Sequence, residues 1–191
     1  MFRELRSSVS LFILFFVLTG LGYPFLTLIL GQQLFPHQAN GSLIETNGKI
    51  IGSSLIGQNF AGAGYFHGRP SAAGNGYDAG NSSGSNLGPT SANLQQAIEQ
   101  RVNDLKKDNS VPIPVDLVTT SASGLDPDIS PDAAQFQVSR VAAARQLTLD
   151  QIQDIIKQST TSRSLGFLGD NRVNVLDLNL ALDRLGKTPV P

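Results

Sequence analysis

Residues 11–30 read LFILFFVLTGLGYPFLTLIL, and no charged side chain occurs anywhere between residues 7 and 36. An α-helix rises about 1.5 Å per residue, so about twenty residues make roughly 30 Å of helix, the thickness of a bilayer's hydrocarbon core. The sequence therefore predicts one transmembrane helix, which we place at residues 9–31.

The flanks of this stretch differ in charge. Arg3 and Arg6 precede it, whereas the next lysine or arginine after it is Lys49. Basic residues are enriched on the cytoplasmic side of membrane spans. We therefore expect residues 1–8 to form a short cytoplasmic N-terminus and residues 32–191 to form a domain outside the membrane.

A cleaved signal peptide is the alternative interpretation of the same stretch. It would need a shorter apolar core followed by an A-x-A-like cleavage site, and residues 25–30 continue the apolar run without one. A retained anchor is favoured. Within it, Gly20, Gly22 and Pro24 indicate either a small-residue surface against a neighbouring helix or a lone span with a harmless kink.

Composition limits what the rest of the chain can do. The chain has 191 residues, a net charge of −1 and no cysteine. The charge balance argues against a nucleic-acid partner, which would favour a basic surface. The lack of cysteine excludes disulfides and thiolate chemistry. Enough chain remains after the span for one ordinary domain.

The pattern beyond the span predicts a single compact α+β domain. Asn47-Gly48 indicates a type I′ turn between two short strands in residues 42–53. Residues 57–89 are rich in glycine, serine and asparagine, and their regular aromatic residues favour an ordered loop. Residues 111–120 look extended and suit a strand, because prolines exclude helix and β-branched residues are frequent.

Four helices are expected in this domain. The first is capped by Thr90 or Ser91, and the second has Ser130 as its N-cap and ends near Gln146. The third opens with a capping box from Thr148 to Gln151. A short strand at 172–175 precedes a last helix at 176–185, for which a strand is an equally good alternative. We expect Gly186 and Pro189 to stop that helix.

Motifs that could carry chemistry are weak. Ser82 lies in a G-x-S-x-G pattern. A nucleophile elbow requires a buried strand directly before the serine and a helix directly after it. Here no apolar strand precedes the pattern, and no helix follows until about residue 90. The Gly186-Lys187-Thr188 tripeptide lacks the first glycine of a phosphate-binding loop, since residue 181 is alanine. We predict no catalytic residue, metal ligand or cofactor-binding residue.

Arg69 stands between Gly68 and Pro70, which would hold its guanidinium ready for a carboxylate or a backbone carbonyl. An ion pair within the domain is the favoured interpretation, and a contact with another protein is the alternative.

Several motifs together resemble one known family. They are YFHGRPSA at 65–72, SGSNLGP at 83–89, LVTTSASGLDP at 117–127, ISP at 129–131, QVSRVA at 137–142 and VLDLNLALD at 175–183. In this order, and after a single N-terminal span, they are similar to the C subunit of the Kdp potassium-transporting ATPase. The resemblance covers essentially the whole chain.

The resemblance implies a non-catalytic subunit of a high-affinity potassium uptake complex in the bacterial inner membrane. In that family a channel-like A subunit binds the ion, a P-type ATPase B subunit binds and hydrolyses ATP, and a small F subunit is also present. The C subunit holds the assembly together and acts as a catalytic chaperone that raises the ATP affinity of the B subunit. This chain alone is then expected to bind no cofactor.

We therefore expect a subunit interface that includes a set of seven residues: Gly20, Pro24, Tyr65, Phe66, Arg69, Asn86 and Asp126. The loops at 57–89 and 121–131 are the expected contact surfaces. A domain outside the membrane cannot touch cytoplasmic ATP, so an effect on ATP affinity would have to be allosteric. The competing hypothesis is a membrane-anchored serine hydrolase that uses Ser82.

Overall fold

A computed structural model describes residues 2–107 and 111–185 of the chain. It divides into two compact units, a helical unit, Met1–Ile51, and a globular unit, Gly52–Pro191. The fold is α+β, as the sequence predicts.

The helical unit is dominated by one apolar helix, Phe2–Leu34, which is long and apolar enough to cross a membrane. It comprises α1 (Phe2–Val17), a π-helical turn (Leu18–Gly22) and α2 (Tyr23–Leu34). None of its residues is buried. The helix agrees with the predicted span and continues beyond residues 9–31 at both ends.

The π-helical turn lies where the sequence predicts an interruption. Pro24 has no N–H, and its ring would clash with the carbonyl four residues earlier in a regular α-helix. The turn before it is wider, and the Tyr23 N–H donates to the carbonyl of Leu18, five residues back. The hydroxyl of Thr27 donates to the Pro24 carbonyl at 2.9 Å.

After the short helix α3 (Pro36–Ala39), strands β1 (Leu43–Thr46) and β2 (Lys49–Ser53) form the expected hairpin. Asn47 and Gly48 both have positive φ, 53° and 73°, as a type I′ turn requires. The hairpin prediction is confirmed.

The described part of the globular unit contains four helices and a small antiparallel sheet, and the last three helices contact the middle strand of that sheet. The helices are α4 (Ala92–Leu105), α5 (Pro131–Arg145), α6 (Leu149–Ser159) and α7 (Val175–Arg184). The sheet has the order β3 (Asp128–Ile129), β5 (Arg172–Asn174), β4 (Thr160–Thr161). Val173, at the centre of the middle strand, is fully buried and faces both Ile129 and Thr160 in register.

Side-chain caps set the helix starts that the sequence predicts. The Ser130 hydroxyl accepts from the Ala133 N–H at 3.0 Å, and Thr148 and Gln151 form a complete capping box. The Asn174 side chain accepts from the Asp177 N–H at 3.1 Å, so the last element is a helix and the strand alternative is wrong. Ser91 precedes α4 without a side-chain cap bond.

The predicted strand at 111–120 is wrong. The segment instead contains a 3₁₀ turn, Val115–Leu117, which follows Pro114. Two prolines, Pro112 and Pro114, lack the N–H groups that a strand needs for pairing, and Leu117 turns inward to become buried. The expected helix stop at Gly186 and Pro189 lies outside the described residues.

Candidate interaction surface

The long loop at residues 57–89 contains neither helix nor strand, yet it is an integral part of the globular unit. Phe66 and Ala73 from this loop are completely buried. The ordered loop that the sequence predicts is confirmed, and its backbone must find hydrogen-bond partners other than a neighbouring strand.

Two side-chain amides supply those partners at residues 66 and 67. Asn179 of α7 accepts from the Phe66 N–H at 2.8 Å and donates to the Phe66 carbonyl at 2.9 Å. Gln137 of α5 accepts from the His67 N–H at 2.8 Å and donates to the His67 carbonyl at 3.1 Å. Each amide therefore pairs with one residue's backbone as a neighbouring strand would.

Two arginines of α5 bind backbone carbonyls at residues 63–65, just before Phe66. Arg140 donates to the carbonyls of Ala63 and Tyr65 at 2.7 and 3.0 Å. Arg145 donates from Nε to the carbonyl of Gly64 at 2.5 Å and lies over the Tyr65 ring, 4.6 Å from its centroid. Four polar side chains of α5 and α7 thus fix the loop onto the helices.

A second cluster fixes the loop beyond residue 68. Arg69 forms an ion pair with Asp126 at 3.0 Å, which confirms the favoured interpretation of this arginine. The Tyr77 hydroxyl donates to the Arg69 carbonyl at 2.6 Å. Burial raises the pKa of Tyr77 to about 12, and the nearby Asp126 carboxylate acts in the same direction.

Close backbone contact joins the loop to residues 121–127. The Ser83 N–H donates to the Ser123 carbonyl at 2.9 Å, and the Ser71 hydroxyl donates to the Gly124 carbonyl at 2.6 Å. Gly124 has a φ of 67°, and a Cβ there would come within 2.6 Å of the Ala73 nitrogen. Glycine is required at this crossing of two loops.

A cleft of about 520 Å³ lies in the globular unit where residues 59–77 face α4 and α5. Its wall has apolar parts from Phe60, Leu105, Leu117 and Phe136. It also carries basic side chains: His67, Arg69, Arg101 and Arg140.

The turn between β4 and β5 is the most exposed apolar feature of the globular unit. Leu165, Phe167 and Leu168 have 82, 71 and 52% of their surface exposed. Leu165 and Gly166 both have positive φ, and Ser164 pairs with Leu168 across the turn. We call residues 164–168 the apolar tip.

A sequence model described as K+-transporting ATPase, c chain, matches residues 5–184. The chain belongs to the KdpC family. Proteins described as the KdpC subunit of a potassium-transporting ATPase are similar to it along nearly their whole lengths. The protein from Acidobacterium capsulatum is 56% identical over 183 residues, covering 96% of this chain and 99% of the relative.

The KdpC subunit of Koribacter versatilis is 50% identical over 190 residues, covering 99% of this chain and 98% of the relative. That of Methylococcus capsulatus is 53% identical over 189 residues, covering 97 and 100%. The family resemblance seen in the motifs is confirmed, and so is the interpretation of the chain as an accessory subunit of the ATPase that is not its catalytic subunit.

The KdpC motifs that carried this resemblance are largely the residues that hold the loop. Tyr65, Arg69 and Asp126 take part in the internal contacts described above, and Phe66 is buried in the core. Asn86 is exposed and has a φ of 53°. Gly20 and Pro24 lie on the apolar helix. The role of these seven residues as subunit contacts stays a prediction.

Ser82 does not form a nucleophile elbow in this member of the KdpC family. It lies in an irregular loop with no strand before it, and α4 begins ten residues later at Ala92. Its hydroxyl donates to the Ser123 carbonyl at 2.9 Å. The serine hydrolase hypothesis is not supported.

Sequence reasoning missed the importance of Gln137, Arg145 and Asn179, and it missed the apolar tip. Gln137 and Asn179 could have been noticed as polar residues at core-facing positions of otherwise apolar helix faces. The tip could have been noticed as the LGFLG run between turn residues. Among the described residues, no group of three or more histidine and acidic side chains is placed to hold a metal.

Proposed function

We propose that this chain assembles and stabilises a potassium-transporting ATPase complex in the bacterial inner membrane. Its partners are the channel-like A subunit, the ATP-hydrolysing B subunit and the small F subunit. The globular unit lies outside the membrane over the ion entrance of the A subunit, and the apolar helix packs on a neighbouring membrane subunit. Membership in the KdpC family supports the general role.

The apolar tip is the structural observation that carries the proposal. Three large apolar side chains within four residues leave most of their surface in water. Burying one such side chain against a partner contributes roughly 1.5–3 kcal/mol. An exposed apolar turn of this kind suits insertion into a hollow on another subunit.

The effect on ATP follows from unequal binding. A subunit that binds one conformation of the complex more tightly than another shifts the complex toward that conformation. If that conformation holds ATP more tightly, the chain raises the ATP affinity of the B subunit and acts as a catalytic chaperone without touching the nucleotide.

Removing the apolar tip tests this role. In the co-expressed complex, we expect Leu165→Ser, Phe167→Ser and Leu168→Ser together to reduce recovery of the other subunits with this chain by about tenfold or more. Leu149→Ser is the control, because Leu149 is 52% exposed and lies at the start of α6, outside the apolar tip. Full recovery of the complex with the triple variant would contradict the proposed role of the tip.

The orientation can be tested separately because the chain has no cysteine. Ser8→Cys and Gln158→Cys each introduce one thiol at an exposed position. A membrane-impermeant maleimide added to spheroplasts should label the Gln158→Cys variant and spare the Ser8→Cys variant until the membrane is opened. The opposite labelling pattern would reverse the proposed topology.

A further inference from the structure

We propose that the cleft between residues 59–77 and helices α4 and α5 binds an acidic segment of a partner subunit, with Arg101 as the residue that receives its carboxylate. This inference rests on the proposed function, because it supplies a second contact for the same assembly. The apolar tip and the cleft are formed by different elements and can be tested independently.

Arg101 is a cation without a matching anion in the described part of the chain. Its Nη1 donates to the Val118 carbonyl at 2.8 Å, and no carboxylate among residues 2–107 and 111–185 forms an ion pair with it. The acidic neighbour on the same wall, Asp104, pairs with Lys107 at 2.7 Å. Burial lowers the pKa of Arg101, as expected for a cation taken from water without a counter-charge.

Arg69, on the same wall, has an unsatisfied donor. The Nε of Arg69 is buried and has no hydrogen-bond partner among the described residues, although the Nη1 of that side chain pairs with Asp126. Buried donors without an acceptor are few in native structures, and each costs free energy. Because this Nε is enclosed by the protein, the incoming carboxylate is assigned to Arg101 and not to Arg69.

The remaining wall defines what accompanies the carboxylate. Phe60, Leu105, Leu117 and Phe136 give it an apolar surface beside the guanidinium groups. A volume of about 520 Å³ holds a few residues of extended chain. The segment that fits the cleft has an aspartate or glutamate next to an apolar side chain. We expect this segment to belong to a partner subunit of the same complex.

The test is substitution of Arg101 in the co-expressed complex. Two quantities are measured: the recovery of the other subunits at physiological salt, and the salt concentration that releases half of them. Arg101→Gln and Arg101→Glu should reduce subunit recovery at physiological salt by about tenfold or more and lower the releasing salt concentration, because the carboxylate loses its pair with a partly buried guanidinium. Arg101→Lys keeps the charge and should retain most of the binding. Arg184→Glu is the matched control, because Arg184 is an exposed arginine at the end of α7 and belongs neither to the cleft nor to the apolar tip.

A second variant separates binding from folding. Ala61 is exposed at the cleft, so Ala61→Trp fills the opening while every charge stays in place. It should lower subunit recovery and leave the thermal unfolding of the purified chain unchanged. Wild-type recovery for both Arg101→Glu and Ala61→Trp would overturn the proposal.

Cross-linking identifies the occupant. A photo-reactive benzoylphenylalanine at Asn59, which is exposed and lines the cleft, should form an adduct with a segment of a partner subunit that contains aspartate or glutamate. An adduct with lipid, or no adduct in an intact complex, would overturn the proposal. If these tests fail while the tip variant still loses its partners, the cleft assignment falls and the assembly role stands.

Discussion

Arg145 carries a charge although none of its side chain is exposed. Its position is stabilised by the bond to the Gly64 carbonyl, by stacking on Tyr65 and by the ion pair with Asp183 at 2.8 Å. Asp183 is 43% exposed, so one end of the pair remains in contact with water. A buried guanidinium is tolerated here because several of its donors meet acceptors.

We predict that Arg145→Met destabilises the chain by about 3 kcal/mol, because it leaves the Gly64 carbonyl buried and unsatisfied and breaks a partly buried ion pair. Urea denaturation of the purified full chain in detergent measures this. Arg163→Met removes an exposed pair with Asp170 and should cost less than about 0.5 kcal/mol. Equal effects of the two substitutions would show that burial of Arg145 contributes nothing.

Tyr77 should make stability depend on pH in the alkaline range. Its pKa is about 12 in the folded chain against 10.0 ordinarily, so the unfolded chain loses this proton first as the pH rises. The free energy of unfolding should therefore fall by about 1–2 kcal/mol from pH 10 to pH 12, and the contribution is fully present below pH 10. Lysines also titrate in this range, so the quantity to measure is the difference from Tyr77→Phe, and a difference independent of pH would exclude this tyrosine as the cause.

At the scale of elements, the sequence predicts correctly the helix starts that depend on nearby residues, and it does not predict pairings between distant residues. Ser130, Thr148 and Asn174 cap their helices through residues three positions away, so the sequence alone specifies these starts. The segment around Val115–Leu117 has strand-like residues but no strand to pair with, which only the folded chain reveals. The amides of Gln137 and Asn179 hydrogen-bond to the backbones of residues 70 and 113 positions away, and no local sequence pattern predicts such contacts.

The apolar helix gives a prediction at the same scale. If Gly20, in the π-helical turn, faces a neighbouring membrane helix, Gly20→Leu should reduce recovery of the other subunits from membranes by about tenfold, because close helix contact in lipid depends on small residues. Leu18→Phe adds bulk two residues away, where helix geometry gives a different face, and should have little effect. Equal recovery for both variants would favour a lone span.

At the scale of the whole molecule, the sequence motifs identified the family correctly, while the surfaces available to partners needed the structure. Tyr65, Phe66, Arg69 and Asp126 attracted attention as motif residues, and all four are used inside the globular unit. The apolar tip and the cleft are exposed surfaces that became visible only in the structure. In this chain, these motif residues therefore hold the loop in place within the globular unit.

The division into two units predicts that a chain beginning at Ser42 folds without the apolar helix. Every residue of the hydrophobic core lies between Phe66 and Leu182, within the globular unit. We expect the urea midpoint of the fragment 42–191 to match that of the full chain, by near-ultraviolet circular dichroism of the tyrosine signal. A fragment without a cooperative transition would show that the helix is needed for folding.

The pairing of the Phe66 backbone with Asn179 also sets an order of events during synthesis. A ribosome makes the loop before it makes α7, so the amide that replaces a neighbouring strand is made 113 residues after the backbone with which it pairs. Until then the loop has no partner for these backbone groups and must remain open to water or to chaperones. A chain that stops before residue 179 would carry the loop motifs at 65–72, 83–89 and 117–127 and would still lack the amide that pairs with the Phe66 backbone.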